Sequence, residues 1–251
     1  MKIVGVIPAR FASTRLPGKP LLSDTGRPLI AHVVEAAQRA KSLERIIVAT
    51  DDPRIAQAVH DHGGEAMMTR ADHPTGTDRV AEVAAAIPDA QIIVNLQGDE
   101  PEISGATIDL LVELLANDPD APMATLATPI HDESIHRDPS CVKVVFGGHG
   151  RALYFSRAPI PFHRDPATGN LGGPLGYLHL GIYAYRRDFL LGLARLAQSP
   201  LESAEKLEQL RVLEAGFPIA VGVVDEPSIG VDTPDDYRRF VERYHASHSR
   251  G

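Results

Sequence analysis

Residues 3–49 read IVGVIPARFASTRLPGKPLLSDTGRPLIAHVVEAAQRAKSLERIIVA, and they decide the fold. The run Ile3 to Ile7 is apolar and β-branched, as a strand buried on both faces would be. Pro28 to Ala40 then places Leu29, His32, Val33, Ala36 and Ala37 on one side at helical spacing, and Arg45 to Ala49 is a second apolar run. Strand, helix and strand in that order make a βαβ unit, which implies two parallel strands joined by a crossover helix.

The pattern repeats outward. Ala66 to Met68, Gln91 to Leu96 and Met123 to Thr128 read as further strands, and Pro53 to Asp61, Asp78 to Ala86 and Ser104 to Ala116 as helices. The expected class is α/β, a mostly parallel sheet with helices on both faces, in which ligands sit beyond the carboxyl ends of the strands. After residue 140 the character changes. Val142 to Phe146 and Arg151 to Phe155 flank Gly147-Gly148-His149-Gly150 as a β-hairpin. Arg157 to Gly176 carries four prolines and no apolar period, the mark of a binding loop. A strand from Tyr177 to Tyr185, a helix from Leu201 to Ala215, a strand near Ile219 to Val224 and a helix from Pro234 to His245 follow. The chain reads as one domain over residues 1–251, with 142–185 as an inserted β-rich module.

Composition bounds the function. The chain has 251 residues, 43% hydrophobic and 23% charged, enough for a sizeable core. A net charge of -8 argues against a nucleic-acid surface, so any bound anion must meet a local cationic cluster. No window is apolar enough to cross a membrane and the first run is too short for a signal-peptide core, so a cytoplasmic protein is expected. Cys141 is the single cysteine, which excludes intrachain disulfides and cysteine-rich zinc sites; beside Val142, Val144 and Val145 it reads as a core residue.

Three stretches carry chemistry. Pro8-Ala9-Arg10-Phe11-Ala12-Ser13-Thr14-Arg15-Leu16-Pro17-Gly18-Lys19 gathers three cations, two hydroxyls and a glycine directly after the first strand. That suits a triphosphate, because arginine forks onto phosphate oxygens and lysine supplies a movable point charge; a solvated basic loop is the competing reading. Its spacing is neither that of a P-loop nor of a dinucleotide fingerprint. Val94 to Pro101 runs an apolar strand into Asp99, where Mg²⁺ would take one or two carboxylates, although Asp99 or Glu100 shaping a turn explains the same letters. In Gly230-Val231-Asp232-Thr233-Pro234-Asp235-Asp236, Thr233 reads as a helix cap and Asp232 as a second metal ligand. The polar loop Thr69 to Arg79 supplies backbone donors to a base or caps the next helix, with capping the better account. Arg157 could clamp a carboxylate, or make a surface salt bridge, and opens the segment holding His163 and Arg164. Asp118-Pro119-Asp120 reads as a turn that ends a helix, and the eleven histidines show no compact metal spacing.

Taken together, these residues resemble the 3-deoxy-manno-octulosonate cytidylyltransferases, or CMP-Kdo synthetases, over nearly the whole chain. The resemblance is carried by the stretches Ile7–Leu21, Val48–Asp51, Met68–His73, Asn95–Pro101, Ala152–Arg157, His179–Tyr183, Leu207–Arg211 and Gly230–Pro234. It implies a nucleotide-diphospho-sugar-transferase fold, Rossmann-like, and a homodimer in which 142–185 serves substrate binding or dimerisation. It also implies transfer of CMP from CTP to the acidic sugar Kdo. By the same resemblance, CTP is bound by Pro8, Ala9, Arg10, Ser13, Arg15, Lys19, Arg70, Asp72, Gly76 and Gln97, with Arg10, Lys19 and Asp99 catalytic. Mg²⁺ falls to Asp99 and Asp232, and the sugar acid to Arg157, His179, Tyr183, Glu208 and Gln209. Another acidic sugar such as 8-amino-Kdo or sialic acid, a metal-dependent glycosyltransferase, and a non-catalytic nucleotide-binding module are the alternatives.

Overall fold

The computed structural model describes residues 1–12, 16–164, 173–225 and 228–248. The chain forms two compact units, one of residues 1–109 with 228–251 and one of residues 110–227.

In the first unit, β1 (Ile3–Ala9), β2 (Arg45–Thr50), β3 (Glu65–Met68) and β4 (Ile92–Asn95) lie in the order β3-β2-β1-β4, and every pairing among them is parallel. Parallel pairing puts all four carboxyl ends on one edge, so the residues after Ala9, Thr50, Met68 and Asn95 are delivered to a common rim. The connecting helices are α1 (Leu29–Ala37), α2 (Pro53–Asp61) and α3 (Gly76–Ala86), with α4 (Gly105–Ala116) following β4. Side-chain caps fix their starts: Asp52 accepts from the Arg54 amide at 2.9 Å, and Thr75 from the Asp78 amide at 3.2 Å. The capping role read for the loop ahead of α3 is therefore present.

Helix α1 is buried beyond the single face its periodicity suggests, with Ile30, Ala31 and Val34 also enclosed. The C-terminal helix Pro234–His248 packs on the predicted face, laying Phe240 and Tyr244 edge-on against His32 at 5.2 and 4.8 Å between ring centroids. Leu16, Leu29, Val231, Tyr237 and Phe240 form one apolar cluster there, and each such burial stabilises the docking by about 2 kcal/mol.

The second unit contains β5 (Met123–Ile130), α5 (Glu133–Arg137), β6 (Lys143–Phe146), β7 (Ala152–Ser156), β8 (Gly176–Arg186), α6 (Arg187–Leu193), α7 (Pro200–Glu205), α8 (Gln209–Glu214) and β9 (Ile219–Val223). Strand β5 pairs antiparallel with β8 and parallel with β9, and the β6–β7 hairpin joins through β6 to β8. Asp118 ends α4 as a turn, its Oδ1 accepting from the amides of Asp120 and Ala121 and from Arg151.

Two expectations need correction. The helix read over 201–215 is two helices, broken at Lys206, whose φ of 56° and ψ of 46° are left-handed. The break lets Arg211 reach back to the buried carboxylate of Glu202, at 2.7 Å from Nε. Nine residues of straight helix would hold those two positions about 13 Å apart along the axis. Cys141 is only half-buried, and the interior position belongs to Lys143, which has no exposed surface. Its ammonium donates to the carbonyls of Asp138, Cys141 and Arg157, so all three N–H groups are satisfied and a charged side chain can lie inside.

Candidate active site

On the rim of the first unit, the loop after β1 meets the loop after β4. A Cβ on Gly98 would stand 2.8 Å from the Pro8 carbonyl oxygen, so only glycine allows the approach that brings Asp99 beside the Pro8 to Lys19 loop. Gly76, at the start of α3, closes on Pro8 from the other side. Gly18 has a φ of 67° and donates its amide to the Phe11 carbonyl, which turns the chain into a short 3-10 helix that begins with Lys19. The C-terminal arm arrives through the Val231 amide, which donates to the Asp99 carbonyl at 2.8 Å. Thr233 and Asp236 cap each other at the head of the C-terminal helix, as its sequence suggested, and the Asp236 carboxylate also accepts from the Asp232 amide.

These elements converge on one ammonium. Lys19 Nζ lies 2.8 Å from Asp99 Oδ2, 3.2 Å from Asp232 Oδ1 and 2.9 Å from the Val231 carbonyl. Two carboxylates around one lysine leave a net negative charge, so the cluster can accept a further cation. Every donor in it is oxygen, the set a hard ion such as Mg²⁺ takes. Among the described residues no group of three or more His, Cys, Asp or Glu is disposed to hold a metal, which leaves the remaining positions of a two-carboxylate site to water or phosphate oxygens. Glu100, adjacent in sequence, has its carboxyl pushed up to about 7 by burial and by the charges of Asp99 and Asp232, against a hydrogen bond from Ser228. Sequence reading weighed it only as a turn residue, since burial of a glutamate leaves no mark in the letters.

Arg10 Nη2 donates to the carbonyls of His73 at 2.6 Å and Thr75 at 3.2 Å, so one guanidinium joins the loop after β1 to the loop before α3. In that second loop Arg70 and Asp72 are exposed and form an ion pair at 3.1 Å. Glu82 receives the Arg70 amide and bonds the His73 ring; burial works to raise its carboxyl, but these donors outweigh it and hold it below the usual range. Gln97 lies on the same rim, half-buried, its carbonyl accepting from the Glu100 amide. Pro8 and Ala9 end β1. Ser13 and Arg15 lie outside the described residues.

In the second unit the structure brings His179, Tyr183 and Glu208 together. The His179 ring packs against Phe155 at 4.9 Å and Tyr183 at 5.4 Å. Its Nε2 lies 3.1 Å from the Thr125 hydroxyl, which also faces the Leu180 carbonyl at 3.1 Å and the Ile182 carbonyl at 2.8 Å; carbonyls only accept, so the hydroxyl gives its one proton to them and a neutral His179 donates from Nε2. Burial lowers the His179 pKa to about 3 and, together with the Glu208 carboxylate, raises the Tyr183 phenol above its usual range. Gln209 is buried, with its Nε2 lacking a hydrogen-bond partner among the described residues. Arg157 follows β7 directly: its Nε donates to the Glu205 carbonyl, its Nη1 to the Pro139 carbonyl and its amide to the Glu205 carboxylate. Backbone carbonyls, and not a surface carboxylate, hold its guanidinium. His163 Nε2 bonds the Leu175 carbonyl at 2.6 Å, and Arg164 is exposed.

A neutral buried imidazole has a stability signature. Its folded pKa lies below the unfolded value of about 6.5, so the unfolded chain binds more protons and stability falls by up to about 1.4 kcal/mol per pH unit as pH drops from 6.5 toward 3. His179→Gln is expected to flatten the difference in unfolding free energy across pH 6.5 to 4, read by urea titration. An unchanged slope would contradict a neutral His179.

An oxygen-lined acidic cluster with a lysine lies here at the carboxyl rim of a parallel sheet, where open α/β folds bind their ligands. A sequence model of the family described as Cytidylyltransferase matches residues 4–222. The chain is 53% identical over 243 residues to the 3-deoxy-manno-octulosonate cytidylyltransferase of Syntrophotalea carbinolica, covering 95% of this chain and 97% of that one. It is 52% identical over 252 residues to the protein of the same description from Geobacter metallireducens, covering 97% and 98%. Among solved structures, CMP:2-keto-3-deoxy-manno-octonic acid synthetase complexed with CTP superposes with a TM-score of 0.92 at 44% identity, covering 98% of this chain and 100% of that one. The chain belongs to the cytidylyltransferase family, among the 3-deoxy-manno-octulosonate cytidylyltransferases.

Proposed function

We propose that this chain transfers CMP from CTP to the anomeric hydroxyl of 3-deoxy-D-manno-octulosonate, releasing pyrophosphate and supplying CMP-Kdo for lipopolysaccharide biosynthesis. The observation that carries the reading is Lys19 held between Asp99 and Asp232 on the rim, in a chain whose relatives carry that description. The sugar hydroxyl attacks the α-phosphorus in line; a bond forms from its oxygen to phosphorus, its proton passes to solvent, and the bond to the bridging oxygen of pyrophosphate breaks. Arg10 and Lys19, with Ser13 and Arg15 of the same loop, bind the phosphates, and Lys19 and Arg10 offset charge growing on the α-phosphate and the leaving pyrophosphate. Arg70, Asp72, Gly76 and Gln97 line the nucleotide with Pro8 and Ala9. Arg157, His179, Tyr183, Glu208 and Gln209 bind the sugar acid, His179 as a neutral hydrogen-bonding group. Asp99 and Asp232 would hold Mg²⁺, which when bound neutralises phosphate charge and orients the attacking hydroxyl. No covalent protein intermediate is required, and catalysis rests on positioning and electrostatics.

We also propose a cytoplasmic homodimer, with 142–185 contributing to the sugar-acid and dimer surfaces. In support, Leu153 and Phe162 in that stretch are exposed, at 65% and 86%, and among the described residues no helix is long and apolar enough to cross a membrane. The test of the reaction is pyrophosphate release from CTP and Mg²⁺ with Kdo, 8-amino-Kdo or sialic acid. Release is expected with Kdo above the others; release with sialic acid alone, or with no sugar acid, would overturn the reading.

A further inference from the structure

The stretch Val48-Ala49-Thr50-Asp51 closes β2 at the rim, yet the reaction as described gives Asp51 nothing to do. The structure joins it to Arg79, the fourth residue of α3, which has no exposed surface. Arg79 Nη1 donates to the Thr69 hydroxyl at 2.5 Å, and its Nη2 lies 3.3 Å from Asp51 Oδ1. Thr69 in turn donates its amide to the Thr50 carbonyl at 2.8 Å. One buried guanidinium therefore ties the ends of β2 and β3 together at the root of the 69–75 loop.

Burial of this kind is costly. Desolvation pulls the Arg79 pKa below its ordinary value against the attraction of Asp51, and among the described residues Arg79 Nε, Arg79 Nη2 and Asp51 Oδ1 make no hydrogen bond, so the two side chains meet as an ion pair alone. An apolar residue of similar volume would often serve stability as well or better, so net stability gives no account of a charged Arg79 at this buried position. What it orients is visible. Glu82, one helical step along the same side of α3, receives the Arg70 amide and the His73 ring, while Arg10 takes the carbonyls of His73 and Thr75. Thr69 is the first fixed point of that loop, and Arg70 follows it immediately, with its side chain and that of Asp72 left exposed.

We propose that Arg79 and Asp51 are positioning residues for the nucleotide half of the reaction, fixing Thr69 and so the orientation in which Arg70 and Asp72 meet CTP. The inference rests on the reading of Arg70 and Asp72 as nucleotide-binding. Arg79→Met should raise the KM for CTP on the order of tenfold and narrow the preference for CTP over UTP, with the KM for Kdo within about twofold of the parent, because misplacement affects only the ligand the loop touches. Arg79→Lys, which keeps the charge facing Asp51 but not the hydrogen bond from Nη1 to Thr69, should fall between. If Arg79→Met does not fold, Asp51→Asn and Thr69→Val carry the same expectation with smaller changes of shape. A folded variant set with unchanged KM for CTP and unchanged base preference, or with equal rises for both substrates, would overturn the proposal. Asp72→Ala and Arg70→Ala separate the two levels. If they raise the KM for CTP while the buried variants do not, the positioning role alone is wrong; if neither raises it, the loop does not meet the nucleotide and the underlying reading fails with it.

Discussion

Asp99→Asn is expected to lower kcat for CMP transfer on the order of a thousandfold while leaving the chain folded. The substitution keeps the volume of the side chain and removes its charge. The backbone bond from Val231 to the Asp99 carbonyl survives, as do the contacts of Lys19 with Asp232 and Val231, so the rim keeps its shape. What is lost is one of two carboxylates available to a divalent cation, and metal neutralisation of transferring phosphates contributes several kcal/mol. The measurement is pyrophosphate release at increasing Mg²⁺, with residual activity shifted to higher metal concentration. Turnover near that of the parent at low Mg²⁺ would remove Asp99 from the metal site.

Lys19→Met should lower kcat by roughly a hundredfold to a thousandfold, the loss expected when one preorganised positive group is withdrawn from the developing phosphate charge. It carries a second expected result that a purely structural lysine would not give. With the ammonium gone, Asp99 and Asp232 face each other without a counter-charge, and the variant's melting temperature should rise more steeply with Mg²⁺ than the parent's, since a cation that binds only the folded state stabilises it by mass action. Loss of activity with no metal-dependent stabilisation would show that the two carboxylates do not hold the ion.

The inner parallel strands β1 and β4 were legible because strands covered on both faces must be apolar throughout, and Asp99 stood out as the charge at which such a run stops. Thr233 was legible as a cap because capping is local. The features that escaped depend on partners distant in sequence. Nothing near Lys143 announces three carbonyls waiting for an ammonium, and its valine neighbours drew the core assignment to Cys141. The break at Lys206 goes with a contact between Glu202 and Arg211 across it, where local propensity reads a continuous helix. Arg79 looks like an ordinary helix residue until α3 packs and leaves it no path to water.

The first unit is discontinuous, and that has a bearing on biosynthesis. Lys19 leaves the ribosome 213 residues ahead of Asp232, and the aromatic residues that seat the last helix on α1 come later still. The nascent chain therefore carries Lys19, and later Asp99, without the second carboxylate until residue 232 has been added. Closure of this long-range contact is slow by the general dependence of folding rate on sequence separation. Competence to turn over substrate should thus arise only once the segment carrying Asp232 has been made and has docked, and until then a chaperone would meet an uncovered α1.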